Sequence, residues 1–298
     1  MKILVTGRDG QLARSLAERA GLHPELALSF AGRPVYDLER PAALADHIRA
    51  EAPDAVINAA AYTAVDRAED EPERARLVNA EAPGLLAAAA RDAGARFIQI
   101  STDYVFDGTG QGPYREDMPT CPIGVYGRTK CAGEEAVRAA QPDHIVLRTA
   151  WVYSPFGANF VKTMIRLAGD RDSIGVVADQ RGNPSSALDL ADGLFALLST
   201  WARGGRAGLG RTYHLAGSGE TSWAGFAEAI FGECAANGLP SAAVTAIATA
   251  DYPTRAARPA NSALDSSAFE RDFGFRMPEW PVSLGNVVRT LAEAAHVG

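Results

Sequence analysis

The sequence predicts an α/β fold, a doubly wound parallel sheet with a smaller C-terminal lobe, on three observations. Short β-branched runs alternate with longer helical patterns through the first half of the chain. The opening strand runs straight into a glycine-bearing turn and a helix. After about Trp151 the alternation loosens and Gly/Pro-rich segments multiply, notably 179–185 and 252–261. Alternating strands and helices imply right-handed βαβ crossovers and a parallel sheet covered on both faces.

Taken in order, residues 2–6 read as a strand and 11–20 as its helix. A second strand spans 26–30, followed by a helix at 41–50 with Pro41 near its first turn, where the missing N–H costs nothing. Residues 55–58 form the third strand and 73–93 a long Ala-rich helix ended by Gly94. The fourth strand is 96–101 and the fifth 145–148, with a helix at 127–139 between them. This places a nucleotide-binding domain at 1–150, to which some later segments return, and a mainly substrate-binding lobe at 151–298. Residues 201–211 read as a surface loop.

Composition excludes several classes. Of 298 residues, 47% are hydrophobic, which is the share of a folded globular chain. The formal charge of −7 and a pI near 5.3 leave no basic footprint for nucleic acid. Cys121, Cys131 and Cys234 form no CxxC or Cys/His ligand spacing, so they read as reduced thiols in the cytoplasm. Histidines 23, 47, 144, 214 and 296 are scattered, and no intrinsic metal site is expected. No apolar run reaches the length of a membrane span, and Gly7 and Gly10 break the N-terminus too early for a signal peptide.

The turn after the first strand is Gly7-Arg8-Asp9-Gly10-Gln11-Leu12-Ala13. Glycines there let the backbone turn and approach a pyrophosphate, whose charge sits at the helix N-terminus, as in Rossmann-type sites. The spacing is GxxGxxA rather than GxGxxG, and a ligand-free βα turn is the alternative. The second strand ends in Phe30-Ala31-Gly32-Arg33, with no carboxylate for the ribose hydroxyls of NAD. Arg33 is either a partner for a 2′-phosphate, which favours NADPH, or an exposed loop arginine. Asp37 and Leu38 border the adenine side.

Tyr126 and Lys130 stand at i and i+4 on one helix face. A cation beside a phenol lowers its pKa from about 10 and suits it to proton transfer near neutrality. Ser101-Thr102-Asp103-Tyr104 ends the fourth strand, the edge at which open α/β sheets bind ligands. A hydroxyl, a phenol and an amine converging on one carbonyl suit ketone reduction.

Together with Asn58-Ala59-Ala60-Ala61, these features resemble the extended short-chain dehydrogenase/reductases. Longer strings narrow the likeness to the dTDP-4-dehydrorhamnose reductases: residues 58–69, 101–108, 150–153, 159–164, 179–184 and 258–265, in order along nearly the whole chain. The resemblance implies reduction of the C4 ketone of dTDP-4-dehydro-L-rhamnose by NADPH or NADH. Tyr126 would donate the proton, Lys130 would hold the nicotinamide ribose, and Thr102 would hydrogen-bond the substrate oxygen. Gly7, Gly10, Gln11 and Leu12 would meet the pyrophosphate, and Ala61, Tyr62 and Thr63 the nicotinamide side. Thr102, Asp103 and Trp151 fall on sugar-contacting positions, although Trp151 by itself reads as core. Arg258 either anchors a diphosphate or is solvated. A homodimer is common among such proteins, and Mg²⁺ accompanies some of them. Ala13 and Ser185 depart from the usual Gly and Thr. Two alternatives stand beside this reading: a reductase or epimerase of another sugar nucleotide, and a non-catalytic regulatory subunit of the same fold. A regulator would have no use for Thr102, Tyr126 and Lys130 together.

Overall fold

The first half of the chain folds as alternating strands and helices because its apolar runs are continuous rather than half polar. The computed structural model describes residues 1–297. In order come β1 (Lys2–Thr6), α1 (Gln11–Arg19), β2 (Ala27–Ala31), α2 (Ala42–Glu51), β3 (Ala55–Asn58), α3 (Val65–Asp70), α4 (Pro72–Arg76), α5 (Ala82–Asp92), β4 (Arg96–Thr102), α6 (Val125–Ala140) and β5 (His144–Thr149). The second half contains β6 (Val152–Tyr153), α7 (Phe160–Ala168), β7 (Ser173–Val177), β8 (Arg181–Gly182), β9 (Ser185–Ser186), α8 (Ala187–Ala202) and β10 (Arg211–His214). It ends with β11 (Thr221–Ser222), α9 (Trp223–Ala236), β12 (Ala243–Ile247), α10 (Ser267–Phe273) and α11 (Trp280–Val297).

The main sheet has six strands in the order β10-β5-β4-β3-β1-β2, every neighbouring pair parallel. Successive side chains of a strand point to opposite faces, and both faces are covered. Ile3, Val5, Ile57, Ile98 and Leu147 share one core with Leu12 and Leu16 of α1 and Leu190, Leu194 and Phe195 of α8. Leu4, Val56 and Phe97 share the other with Leu44 and Ile48 of α2 and Leu86 of α5. Each fully buried Leu, Ile or Phe of this kind contributes about 1.5–3 kcal/mol. A third core, with Tyr153, Val161, Phe226, Ile230, Leu284 and Val288, belongs to the smaller lobe.

Three local expectations change. The helix expected at 73–93 is interrupted by a π-helical turn at Leu77–Glu81, which swings Asn79 toward the sheet edge. A short helix, α3, precedes it. The stretch 201–211 is not simply a solvated loop: Trp201 is buried as part of α8, its Nε1 donates to the Ala207 carbonyl at 3.0 Å, and Arg96 lies 4.9 Å above its ring. Arg211 already belongs to β10, whose pairing with β5 places it in the main sheet.

Candidate active site

The C-terminal ends of β1, β3, β4 and β5 open onto one large cleft bounded on its far side by the segment that follows Trp151. Gly7 turns the chain with φ +85°, and its N–H donates to the Ala31 carbonyl at 2.7 Å. Gly10 then starts α1 in an extended conformation with no side-chain cap and no acidic residue in the first turn. A Cβ at Gly10 would meet nothing within 4 Å. The orphan N–H groups and positive end of α1 therefore face the cleft, which fits the pyrophosphate of a dinucleotide. Gln11 and Leu12 line the cleft beside them, but the Gln11 side chain turns away toward Val152, Ser154 and Asn159.

At the end of β2, a Cβ on Gly32 would lie 3.0 Å from the Arg8 nitrogen and 3.1 Å from its Cβ. That crowding disfavours an acidic side chain at the position where a ribose-binding carboxylate would stand. Four arginines line this part of the cleft. Arg67 is paired with Glu71, and Arg74 with Glu39 and Glu71. Among the described residues, neither Arg8 nor Arg33 makes an ion pair. Asp37 Oδ1 accepts from the Glu39 N–H at 3.0 Å, while Leu38 is buried against the second core.

Beneath the cleft runs a buried polar chain. Thr6 donates to Asn58 at 2.5 Å, Asn58 to Gln99 at 2.8 Å, and Gln99 to the Ile100 carbonyl at 2.9 Å. Such a fully partnered relay fixes the strand ends, because an unpaired buried amide costs about 1–3 kcal/mol. Above it, Ala61, Tyr62 and Thr63 form a wall. Asn79, from the π turn, accepts from the Tyr62 N–H at 2.8 Å and donates to the Tyr62 carbonyl at 3.1 Å and to Thr129 at 3.3 Å. Asn79 is a site-building residue that the sequence reading missed; a π turn has no strong local signature, although such turns concentrate at functional sites.

The reactive groups come from β4 and α6. Helix α6 begins at Gly124 with no side chain of its own as cap; Glu69 of α3 supplies the missing acceptor, taking the Val125 N–H at 2.7 Å. Its first turn packs so tightly that a Cβ on Gly127 would stand 2.1 Å from the Tyr104 carbonyl oxygen. Thr102 donates to Asp103 Oδ1 at 2.8 Å and accepts the Tyr104 N–H at 3.2 Å. Burial pushes the Asp103 carboxyl up to about 6 against these hydrogen bonds, and its Oδ2 is buried without a hydrogen-bond partner. Burial and then the Asp103 charge push the Tyr126 phenol above its ordinary value, and a hydrogen bond with Thr102 draws it down.

Lys130 lies on the same face of α6, one turn beyond Tyr126. Its Nζ gives one of its three N–H donors to the Ile100 carbonyl at 2.7 Å, which anchors the amine to the end of β4 and leaves two donors for a ligand. Burial lowers its own pKa to about 8, with Glu134 one turn further along α6 opposing the shift. Glu134, fully buried, accepts from Arg148 through both oxygens at 2.9 and 2.7 Å, from Ser101 at 2.6 Å and from Arg138 at 2.8 Å. Arg148 also faces His214 at 3.4 Å, and burial holds that imidazole's pKa down to about 3. The sequence reading did not single out Glu134 or Arg148.

The opposite wall is built around Trp151. It adopts φ +46°, which non-glycine residues seldom do, and stacks on Trp223 with centroids 3.5 Å apart. Its Nε1 donates to Ser262 at 3.3 Å, and a Cβ on Gly182 would collide with the indole at 2.5 Å. The strings around 179–184 and 258–265 thus meet at one ring. Arg258, half-buried, pairs with Asp66 at 2.6 Å and lies near the Tyr104 hydroxyl at 3.5 Å, so it is not simply solvated. Ser185 is buried and accepts the Gly217 N–H at 2.9 Å, a contact that needs only the hydroxyl.

Gly7, Gly10, Gln11, Leu12, Arg33, Asp37, Leu38, Ala61, Tyr62, Thr63, Thr102, Asp103, Tyr126, Lys130 and Trp151 all line this one cleft. Among the described residues no group of three or more His, Cys, Asp or Glu is placed to hold a metal, so the Mg²⁺ implied by resemblance finds no ligand cluster; the His296 side chain lies outside those residues. No helix among them is long and apolar enough to cross a membrane.

A six-stranded parallel sheet, a glycine turn under an uncapped helix and a Thr/Tyr/Lys set at the sheet edge define an extended short-chain dehydrogenase/reductase. Within that class the chain belongs to the RmlD substrate binding domain family, whose profile matches residues 1–293. A dTDP-4-dehydrorhamnose reductase of Sinorhizobium fredii is 45% identical over 291 residues, covering 98% of each chain. The crystal structure of a dTDP-4-dehydrorhamnose reductase from Clostridium acetobutylicum superposes with a TM-score of 0.89 at 37% identity, covering 98% of this chain and 99% of that one. The corresponding structure from Bacillus anthracis, in complex with NADP, gives 0.87 at 34% identity, covering 96% and 98%.

Proposed function

We propose that the protein reduces the C4 ketone of dTDP-4-dehydro-L-rhamnose to dTDP-L-rhamnose, using NADPH in preference to NADH. The carrying observation is that Thr102, Tyr126 and Lys130 share one cleft with the uncapped N-terminus of α1. Backbone N–H groups of Gly10, Gln11 and Leu12 hold the pyrophosphate, Asp37 and Leu38 border the adenine, and Ala61, Tyr62 and Thr63 border the nicotinamide. When bound, the reduced nicotinamide supplies the hydride to C4. Tyr126 gives its phenolic proton to the ketone oxygen while the Thr102 hydroxyl, turned from Asp103 Oδ1, donates to that oxygen and holds it in place, so the alcohol forms without a free alkoxide. Lys130 holds the nicotinamide ribose. Asp103 and Trp151 contact the sugar.

Purified protein mixed with NADPH and the dTDP-4-keto-L-sugar should consume absorbance at the nicotinamide band and yield dTDP-L-rhamnose by NMR. Cofactor binding without oxidation would overturn the reading. Arg33 is exposed just past the end of β2 and, among the described residues, makes no ion pair, which suits it to a 2′-phosphate. Arg33→Ala should raise the KM for NADPH about tenfold, roughly one charge-assisted hydrogen bond, and leave that for NADH unchanged. Equal changes for both cofactors would remove Arg33 from this role. Because the Lys130 pKa is lowered to about 8, its charge is lost as pH rises through that value. The ratio kcat/KM for NADPH, which reports the free enzyme, should therefore fall with rising pH above about 8. A flat profile up to pH 10, on the far side of that pKa and near the ordinary lysine value of about 10.4, would contradict it.

A further inference from the structure

We infer that the Gln11 side chain is a positioning device between the two halves of the cleft, coupling cofactor binding to sugar-nucleotide binding. The inference rests on the proposed reading that the cleft takes both ligands. Gln11 is the first residue of α1, and its backbone belongs to the turn that meets the pyrophosphate. Its side chain makes three hydrogen bonds, all to the opposite wall. Nε2 donates to the Val152 carbonyl at 3.3 Å, and Oε1 accepts from Ser154 Oγ at 2.8 Å and from Asn159 Nδ2 at 3.0 Å. That oxygen faces Ser154 and Asn159, although the single Ser154 proton also has the Phe156 carbonyl within reach at 3.0 Å.

The three partners lie on one short segment that starts beside Trp151 and ends at the cap of α7. Ser154 is fully buried and also accepts the Phe156 N–H at 3.1 Å. Asn159 caps α7 by accepting from the Lys162 N–H at 3.2 Å, and its two amide hydrogens are shared among Gln11 Oε1 and the Ser154 and Phe156 carbonyls, the last two at 2.8 and 3.2 Å. Arg14, one turn along α1, lies 4.4 Å above the Phe156 ring. The first turn of α1 and residues 152–159 therefore form a single hydrogen-bonded block. A ligand that fixes the turn also fixes the segment carrying the Trp151 ring, and the second ligand meets a wall already ordered. By linkage the effect is reciprocal: each ligand raises the other's affinity by the same factor.

Calorimetric titration of the full chain with dTDP-L-rhamnose, alone and with saturating NADPH, measures that factor without turnover, since product and reduced cofactor do not react. For the wild type the affinity should rise about tenfold, within the usual span of coupling, and NADPH should gain equally from dTDP-L-rhamnose. Gln11→Met keeps the side-chain length, removes all three hydrogen bonds and should bring the factor close to one. Should Gln11→Met not fold, Ser154→Ala removes one donor outside the turn and should lower the factor at least threefold. A wild-type factor of one, or a factor unchanged in the folded variant, overturns the inference and leaves Gln11 a merely structural residue. If the wild type binds no dTDP-L-rhamnose at all, it is the proposed function that fails.

Discussion

Replacing Tyr126 by Phe should lower kcat by about 10²–10⁴, the range expected when a positioned proton donor is removed. The ring stays, so its edge-on packing against Tyr104, with centroids 5.4 Å apart, is kept and the site does not collapse. Only the hydroxyl next to Thr102 is lost. NADPH affinity, read by fluorescence titration, should change little, because the uncapped end of α1 and the Lys130 amine are untouched. Thr102→Val should lower kcat less, since in the proposed mechanism Thr102 would orient the oxygen without supplying the proton. An unchanged kcat for Tyr126→Phe would remove the tyrosine from its role. The burial that raises the phenol's pKa has a consistent meaning here. A proton donor must be protonated when the ketone arrives, and a phenol held above its ordinary value is fully so at neutral pH.

The second large effect is on stability. Glu134→Ala should destabilise the protein by about 3–5 kcal/mol, the usual cost of breaking a buried ion pair from one side. Arg148, only 3% exposed, would keep its charge with no carboxylate to receive it. Burial pushes the Glu134 carboxyl up, and Arg148, Ser101 and Arg138 together outweigh it, so the group is held below its ordinary value. Removing the carboxylate takes the acceptor from four donor groups on three side chains; of these groups only the one on Arg138 keeps another partner, Thr212. Arg138→Ala is the control: that guanidinium is 37% exposed, and its loss should cost under about 1 kcal/mol. Urea unfolding of the two variants separates these outcomes, and equal midpoints would contradict the assignment. Glu134→Ala should also lower the onset of the alkaline fall in kcat/KM, because Glu134 supports the charge of Lys130.

What could be read from the sequence was local. The opening strand, its glycine turn and α1 follow from residues within a dozen positions of one another. Tyr126 and Lys130 follow from a helical spacing, and their cleft from the rule that ligands sit at strand C-termini. What could not be read depends on partners far apart in the chain. Nothing near Gln11 announces Ser154 or Asn159, and nothing near Glu134 announces that Arg148 will be its strand-side partner. The spacing of Tyr126 and Lys130 puts the amine on the phenol's side of α6, but nothing near Lys130 announces that the Ile100 carbonyl of β4 will anchor it. Asn79 is hidden in an Ala-rich helical pattern, and only the extra residue of the π turn brings it to Tyr62.

The return of β10 to the edge of the main sheet has a consequence for how the chain can be cut or made. A fragment ending at residue 150 would leave β5 with an unpaired edge, and edges of that kind recruit other chains. It would also strip α8 from α1, baring Leu12, Leu16 and the underside of β1 to water. During synthesis the main sheet therefore stays unfinished until the ribosome has passed His214. A chain truncated near residue 150 should give insoluble protein, because α8 and β10 are then missing, whereas exposed turns that leave both attached are the places to open the chain.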